Sequence, residues 1–168
     1  INNLMVVFDP LRVSPVTVEH TLLRLWQTTI PGATTGKDVD VPVIYGGAYG
    51  EDLADLAHHA GISTEEVIRL HVEPVYTVAA IGALPGFSYL SGLNPRIARG
   101  RRSVPRFNVP AGAVMIGGTQ AGINPCLAPS GWHIIGRTSI PMFDLRNSPP
   151  STFQPGDRIR FRVAEIVS

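Results

Sequence analysis

Apolar residues recur every third or fourth position in three stretches of this chain and at every second position in several others. Val18, Leu22, Leu25 and Trp26 fall on one face of a helix that Ser14-Pro15 would open and Pro31-Gly32 would close. Leu53, Leu56, Ala57 and Ala60 mark a second helix over residues 51–60, with Gly61 as its terminator. The run Ser63-Thr64-Glu65-Glu66 reads as a capping box, with Ile62 and Val67 as a hydrophobic staple. It opens a third helix that reaches about Glu73 and stops before Pro74.

The remaining apolar pattern is strand-like. Residues 4–8 form a short strand candidate closed by Asp9-Pro10, and residues 41–45 form another, ended by Gly46-Gly47. From Val75 onward the clearest strands are 76–81, 113–116, 132–136 and 158–163; in the last, Ile159, Phe161 and Val163 face in while Arg158, Arg160 and Arg162 face out. Strands joined by long Gly/Pro loops predict a mainly β protein with α: an antiparallel barrel with two helices against its flank or end. One strand and one helix cannot bury each other's apolar faces. Residues 1–40 are therefore expected to be the tail of a small α+β domain plus a polar linker from residue 31, and residues 41–168 the barrel domain.

Composition narrows the function. The net charge of +1 at 168 residues excludes the broad basic face that nucleic-acid binding needs. Of 14 basic residues only Lys37 is lysine, a bias that favours planar, two-pronged recognition of carboxylate or phosphate. Cys126 is the one cysteine, so no intrachain disulfide can form and a reducing compartment is expected; a small buried or half-buried side chain is its plainest role. No apolar run has the length of a membrane helix and the first residues lack a basic leader pattern, so a soluble cytoplasmic protein is expected.

Candidate chemistry concentrates in residues 82–138, where glycines and prolines stiffen loops carrying Phe87, Tyr89, Arg106, Phe107, Gln120, Trp132 and Arg137. Residues 96–106 hold five arginines; Arg99, Arg101 and Arg102 read as a solvated loop, whereas Pro105 and Pro110 fix the backbone around Arg106. Gln120 follows Gly117-Gly118, where backbone can come close to a ligand. Phe87 and Trp132 suit the apolar walls of a cleft, or equally a packed core. His71 stands in the last turn of its helix, beside the loop-rich half; a helix-terminus role competes there with catalysis. Ser130 near His133 lacks the spacing of a nucleophile and its base, so turn hydrogen bonding is the better reading. Residues 32–37 fail as a phosphate loop: three residues separate the glycines and Asp38 replaces Ser/Thr.

Six ordered blocks carry a family resemblance: VPVIYGGAYGEDLADLA at 41–57, EEVIRLH at 65–71, ALPGFSYLSGL at 83–93, VPRFNVPAGAV at 104–114, GGTQAGINP at 117–125 and PSGWHIIGRT at 129–138. They resemble the KipI family, also called the allophanate hydrolase subunit 1 family, which includes the B component of bacterial ATP-dependent 5-oxoprolinase. The resemblance implies a cyclophilin-like barrel working with a KipA-like (allophanate hydrolase subunit 2-like) partner, and in 5-oxoprolinase with a third LamB/YcsF-like subunit. It implies ATP-driven opening of a cyclic amide, with the ATP used by the complex. Relatives act on urea or allophanate, and one inhibits a histidine kinase, so those readings stay open. Carried over by motif, Arg106, Gln120 and Arg137 would act on substrate, joined by His71. Pro85, Gly86, Phe87, Pro110, Gly112, Thr119 and Trp132 would line the cleft. Thr119, Asn124 and Ser130 depart from the residues usual at their positions, which bears on the substrate held.

Overall fold

The computed structural model describes residues 5–30 and 36–168, in two compact units, Ile1–Thr34 and Thr35–Ser168. In the first unit, α1 (Pro15–Thr28) starts as its sequence predicts: the Ser14 hydroxyl accepts the Thr17 N–H at 3.2 Å and Pro15 fills the first helical position. The expected stop, Pro31-Gly32, lies outside the described residues. The expected strand at 4–8 does not form over its described part, 5–8. A strand needs a partner ladder, and the described residues of this unit contain no other strand.

The second unit holds β1 (Asp38–Gly46), α2 (Leu53–Ala60), α3 (Thr64–Val72), β2 (Tyr76–Ile81), β3 (Ser88–Ser91), β4 (Arg106–Val109), β5 (Ala113–Gly117), β6 (Gln120–Ile123), β7 (Ala128–Ser130), β8 (His133–Arg137) and β9 (Arg158–Val167). Seven strands close a barrel in the order β1-β8-β5-β6-β3-β2-β9, and β4 pairs with β7 in a separate two-stranded sheet. The fold is thus mainly β with α, as the pattern predicts. One seam departs from the expected antiparallel pairing: β1 and β9 run parallel, from Asp38↔Arg158 to Gly46↔Val167. That ladder draws Asp38–Asp40, expected in the linker, into β1. Across it Asp38 pairs with Arg158 and Arg160, and Asp40 with Arg162.

Ile159 and Phe161 point into the barrel as expected, but Val163 is 45% exposed. After Val43↔Val163 the register skips Ala164, and this bulge re-aims the end of β9. The Ser63 hydroxyl caps α3 on the Glu66 N–H, while the Glu66 carboxylate reaches Arg69 and Arg96 instead of returning to the cap, so half of the capping box forms. Gly61 ends α2 in the left-handed conformation. Leu53 and Leu56 of α2 and Val67, Ile68 and Leu70 of α3 join Val43, Tyr45, Leu90, Ile116 and Phe161 of the barrel in one core.

A second, smaller core lies against other strands: Phe87, Val109, Ala113, Met115, Trp132 and Ile134, with Leu84 and Tyr89 packed on it. Met115 and Ile134 belong to this cluster while their neighbours Val114, Ile116 and Ile135 belong to the first, which is the two-sided alternation of a barrel wall. The candidate site is built on this second cluster.

Candidate functional site

Trp132 needs a wall without side chains beneath it, and glycine supplies that. A Cβ at Gly117 would overlap the indole, and one at Gly122 would meet the indole at 3.0 Å and the Phe87 ring at 3.1 Å. The indole therefore lies against the bare backbone of β5 and β6. Phe87 and Tyr89, two residues apart around the start of β3, complete a mutual edge-to-face set. Their ring centroids are 4.8 Å apart, with Phe87–Trp132 at 5.6 Å and Tyr89–Trp132 at 5.9 Å.

Beside these rings opens a cleft of about 300 Å³, lined by Leu84, Phe87, Tyr89, Trp132, Arg101, Asn124 and Ser130, among others. The Arg101 guanidinium carbon stands 5.9 Å from the Trp132 ring centroid, within reach of a cation–π attraction. Asn124 is buried, and its amide nitrogen donates to the carbonyls of Val109, Pro110 and Cys126 at 3.0, 3.1 and 2.7 Å, fixing the two loops that rim the cleft. The Ser130 hydroxyl accepts the Trp132 N–H at 3.2 Å, the turn role its sequence predicts.

The arginine-rich segment is held by acids of α2 and the residue before it. Asp52 accepts from Arg106 through both prongs, from Arg102 at 2.8 Å and from the Ile134 N–H at 2.7 Å. Burial would raise the Asp52 carboxyl, but the Arg106 hydrogen bonds, the Ile134 N–H and the charges of Arg106 and Arg102 outweigh it and hold the group below the usual carboxylate range. Arg99 pairs with Asp55 at 2.8 Å. Arg101, between two pinned arginines, meets no carboxylate among the described residues, and its side chain goes to the cleft.

The structure separates residues expected to act together. Arg106 is engaged by Asp52 and, at 3.2 Å, by Glu51, so its fork is not free for a ligand. Arg137 and Gly112 line a different hollow. Thr119 and Gln120 sit at the β5–β6 connection, in neither hollow, and Pro110 stands in the turn before β5. Pro85 and Gly86 lie in the loop that rims the aromatic cleft, between Leu84 and Phe87. His71 is fully buried, its Nδ1 2.8 Å from the Tyr45 hydroxyl and its ring 4.3 Å from that of Phe161. Burial lowers its pKa to about 3; it is a neutral core histidine with no path to a substrate. Cys126, expected buried or half-buried, is exposed. Phe87 and Trp132 do share one cleft.

Arg101 and Asn124 line the cleft although sequence reasoning passed them over for this role, whereas Tyr89 stood among the aromatics of the stiffened loops. Tyr89 was legible, two positions from Phe87 on a strand face. Arg101 was not: nothing in residues 96–106 separates it from its neighbours, and the difference lies in acids some fifty positions away. The cleft lining contains no Asp, Glu, His or Cys. It can hold a small flat ligand against aromatic walls and offer one guanidinium to an anion, but it presents no general base.

The structure is a closed barrel that carries an aromatic, singly cationic cleft against its wall. The chain belongs to the family described as carboxyltransferase domain, subdomain C and D, whose pattern matches residues 1–153. It is 41% identical over 164 residues to the 5-oxoprolinase subunit designated B of Haemophilus influenzae, covering 98% of this chain and 77% of that one. It is 40% identical over 161 residues to the corresponding 5-oxoprolinase subunit of Escherichia coli O157:H7, covering 95% and 73%. The crystal structure of the conserved uncharacterized protein PH0987 from Pyrococcus horikoshii superposes with a TM-score of 0.75 at 39% identity, over 95% of this chain and 73% of that one. No helix among the described residues is long and apolar enough to cross a membrane.

Proposed function

We propose that this chain is the B component of an ATP-dependent 5-oxoprolinase-type hydrolase in the cytoplasm, opening 5-oxoproline to glutamate with a KipA-like partner and a third LamB/YcsF-like subunit. The observation that carries the reading is the aromatic cleft with Arg101 at its side, in a chain about 40% identical to proteins named as 5-oxoprolinase subunits. A five-membered lactam is flat and partly apolar, matching the Phe87, Tyr89 and Trp132 walls, and its carboxylate matches a guanidinium fork.

The cleft explains why the chemistry would need partners. An unstrained amide resists water near neutrality, and activating its carbonyl oxygen by phosphorylation makes the carbon attackable. Water then adds, the ring C–N bond breaks as the nitrogen takes up a proton, and a second water cleaves the resulting acyl phosphate to release phosphate and leave the free carboxylate. This chain's cleft has no carboxylate, imidazole or thiol for those steps. At about 300 Å³ it sits at the small end for ligand sites, suited to a ring acid and not to a nucleoside triphosphate as well. ATP and the attacking water are assigned to the partner subunits, while this chain positions the ring and excludes water from it.

The test is reconstitution with the KipA-like and third subunits, following ATP turnover with and without 5-oxoproline. Arg101→Gln should raise KM for 5-oxoproline by about tenfold or more, the scale of a lost charge-assisted hydrogen bond, with circular dichroism unchanged. Turnover driven by urea or allophanate, with none from 5-oxoproline, would replace the substrate. An unchanged KM in Arg101→Gln would remove the cleft from the reading.

A further inference from the structure

Nine arginines of the barrel unit, Arg69, Arg96, Arg99, Arg102, Arg106, Arg146, Arg158, Arg160 and Arg162, each meet an Asp or Glu carboxylate. Among the described residues of that unit, Arg101 and Arg137 do not. Each of these two lines a hollow. Arg101 belongs to the aromatic cleft, and Arg137 to a separate groove of about 500 Å³ that shares no residue with it.

We infer that the Arg137 groove is a second ligand site, which binds a small organic monocarboxylate through the Arg137 guanidinium and an apolar body against Pro42, Ile44, Pro125, Ile140, Pro141 and Ala164. Arg137 ends β8, with its side chain exposed, and its Nε donates to the Ala111 carbonyl at 3.1 Å. That bond fixes the plane of the guanidinium and leaves both terminal nitrogens free of any described carboxylate, a planar fork of the spacing a carboxylate accepts. The Ala111 carbonyl is itself held. Gly112 next to it, at φ +78°, donates to the Asn124 carbonyl at 2.8 Å and accepts the Thr138 N–H at 2.9 Å. The turn is laced to the end of the strand that carries the arginine, so the fork is ordered before a ligand arrives and little entropy is lost on binding.

The walls decide the ligand's charge and body. Pro42, Pro125 and Pro141 have no N–H to offer, and the N–H groups of Gly112, Thr138 and Ile140 are already engaged. Side-chain donors to a ligand are the Arg137 fork and the hydroxyls of Tyr49, Thr138 and Ser139. Arg137 is the one charged side chain in the groove's lining, and one positive charge matches one negative charge. A phosphate dianion would leave a charge unmatched, and a neutral amide would leave the fork without an anion. The ring of prolines and the β1 and β9 side chains favours an aliphatic or cyclic hydrocarbon body.

The probes are 4-methylpentanoate and its neutral counterpart 4-methylpentanamide, titrated into the full chain and followed by calorimetry and by NMR of the Ile and Met methyl groups. The acid should bind about tenfold or more tightly than the amide, the scale of a charge-assisted pair, and should shift the Ile44, Ile140 and Met142 signals. Arg137→Gln should abolish that preference, Arg137→Lys should restore part of it, and Arg101→Gln should leave it intact. Arg137 is exposed, so these variants should keep the wild-type thermal midpoint. Equal binding of acid and amide would overturn the proposal, and so would an effect of Arg101→Gln in place of Arg137→Gln. An acidic peptide that binds where free acids do not would overturn it in favour of a protein-docking groove. None of these outcomes depends on 5-oxoproline turnover, so the two sites fail separately.

Discussion

Asp52 and Arg106 are joined through both prongs, Nη1 to Oδ2 at 2.7 Å and Nη2 to Oδ1 at 2.8 Å. With Arg102 and the Ile134 N–H on the same carboxylate, one buried side chain ties the start of α2 to the arginine-rich segment and to β8. Arg99 and Arg102, on either side of Arg101, are both anchored to acids at the start of α2. The clamp therefore positions the cleft's guanidinium without touching a ligand.

Asp52→Asn should lower folding stability by about 3 kcal/mol, because it leaves two guanidinium groups in a partly buried site without their anion. Urea denaturation measures it, and an unchanged midpoint would show that the clamp does not support the fold. The wild-type carboxyl is held below its unfolded value. Its contribution is therefore complete above the unfolded carboxylate pKa of about 4 and lost as pH falls through the folded one. Asp52→Asn should lose this contribution and show a shallower acid slope than the wild type, the slopes of the other groups remaining.

His71 titrates in a different window. Burial takes it from 6.5 to about 3, so the folded protein holds it neutral while the unfolded chain binds a proton below about pH 6.5. Stability should fall by up to about 1.4 kcal/mol per pH unit from there toward pH 3. The double variant His71→Phe with Tyr45→Phe removes both ends of the buried hydrogen bond and should lose this slope. A slope that persists in the double variant would assign the titration to other groups.

Gly117→Ala should unseat the indole, since the added methyl overlaps the Trp132 ring. About 1–3 kcal/mol of overpacking is expected, together with a red-shifted Trp132 emission as the ring is pushed toward water. Trp26 is 85% exposed and would mask the change, so the measurement belongs in a Trp26→Phe background. An unshifted spectrum would mean that β5 can yield without moving the ring.

Gly112→Ala combines a left-handed backbone with a methyl that collides with the Thr138 carbonyl. A loss of roughly 1–3 kcal/mol is expected, the scale for a strained backbone position. The turn that carries the Ala111 acceptor would shift, so carboxylate preference at Arg137 should fall with it. Wild-type stability and preference together would contradict the seat described for that side chain.

Much of the fold was legible because its signals are local. Ser14-Pro15, Ser63 and Gly61 act within one helical turn, and the alternation of Ile159 and Phe161 is visible in three residues. What escaped is set by distant pairing. Asp38–Asp40 look like linker until Arg158–Arg162 are placed beside them, and Val163 looks buried until the bulge at Ala164 is counted. The site shows the same division. Gly117 and Gly118 hinted at a close approach, but only the fold shows that the visitor is the indole of Trp132, seated against Gly117 and Gly122. Arg106 resembled a ligand-binding residue because rigid neighbours surround it, yet rigidity there serves an ion pair with a residue 54 positions away.

The parallel seam between β1 and β9 has a consequence for biosynthesis. β9 is the wedge between β1 and β2, and it leaves the ribosome after every other strand of the barrel. Until it arrives the growing chain presents two bare hydrogen-bonding edges, the templates on which nascent chains stick to one another. Joining positions 38 and 158 closes about 120 residues of polypeptide in a single late event, so maturation of this barrel should be sensitive to chaperones that shield open sheets.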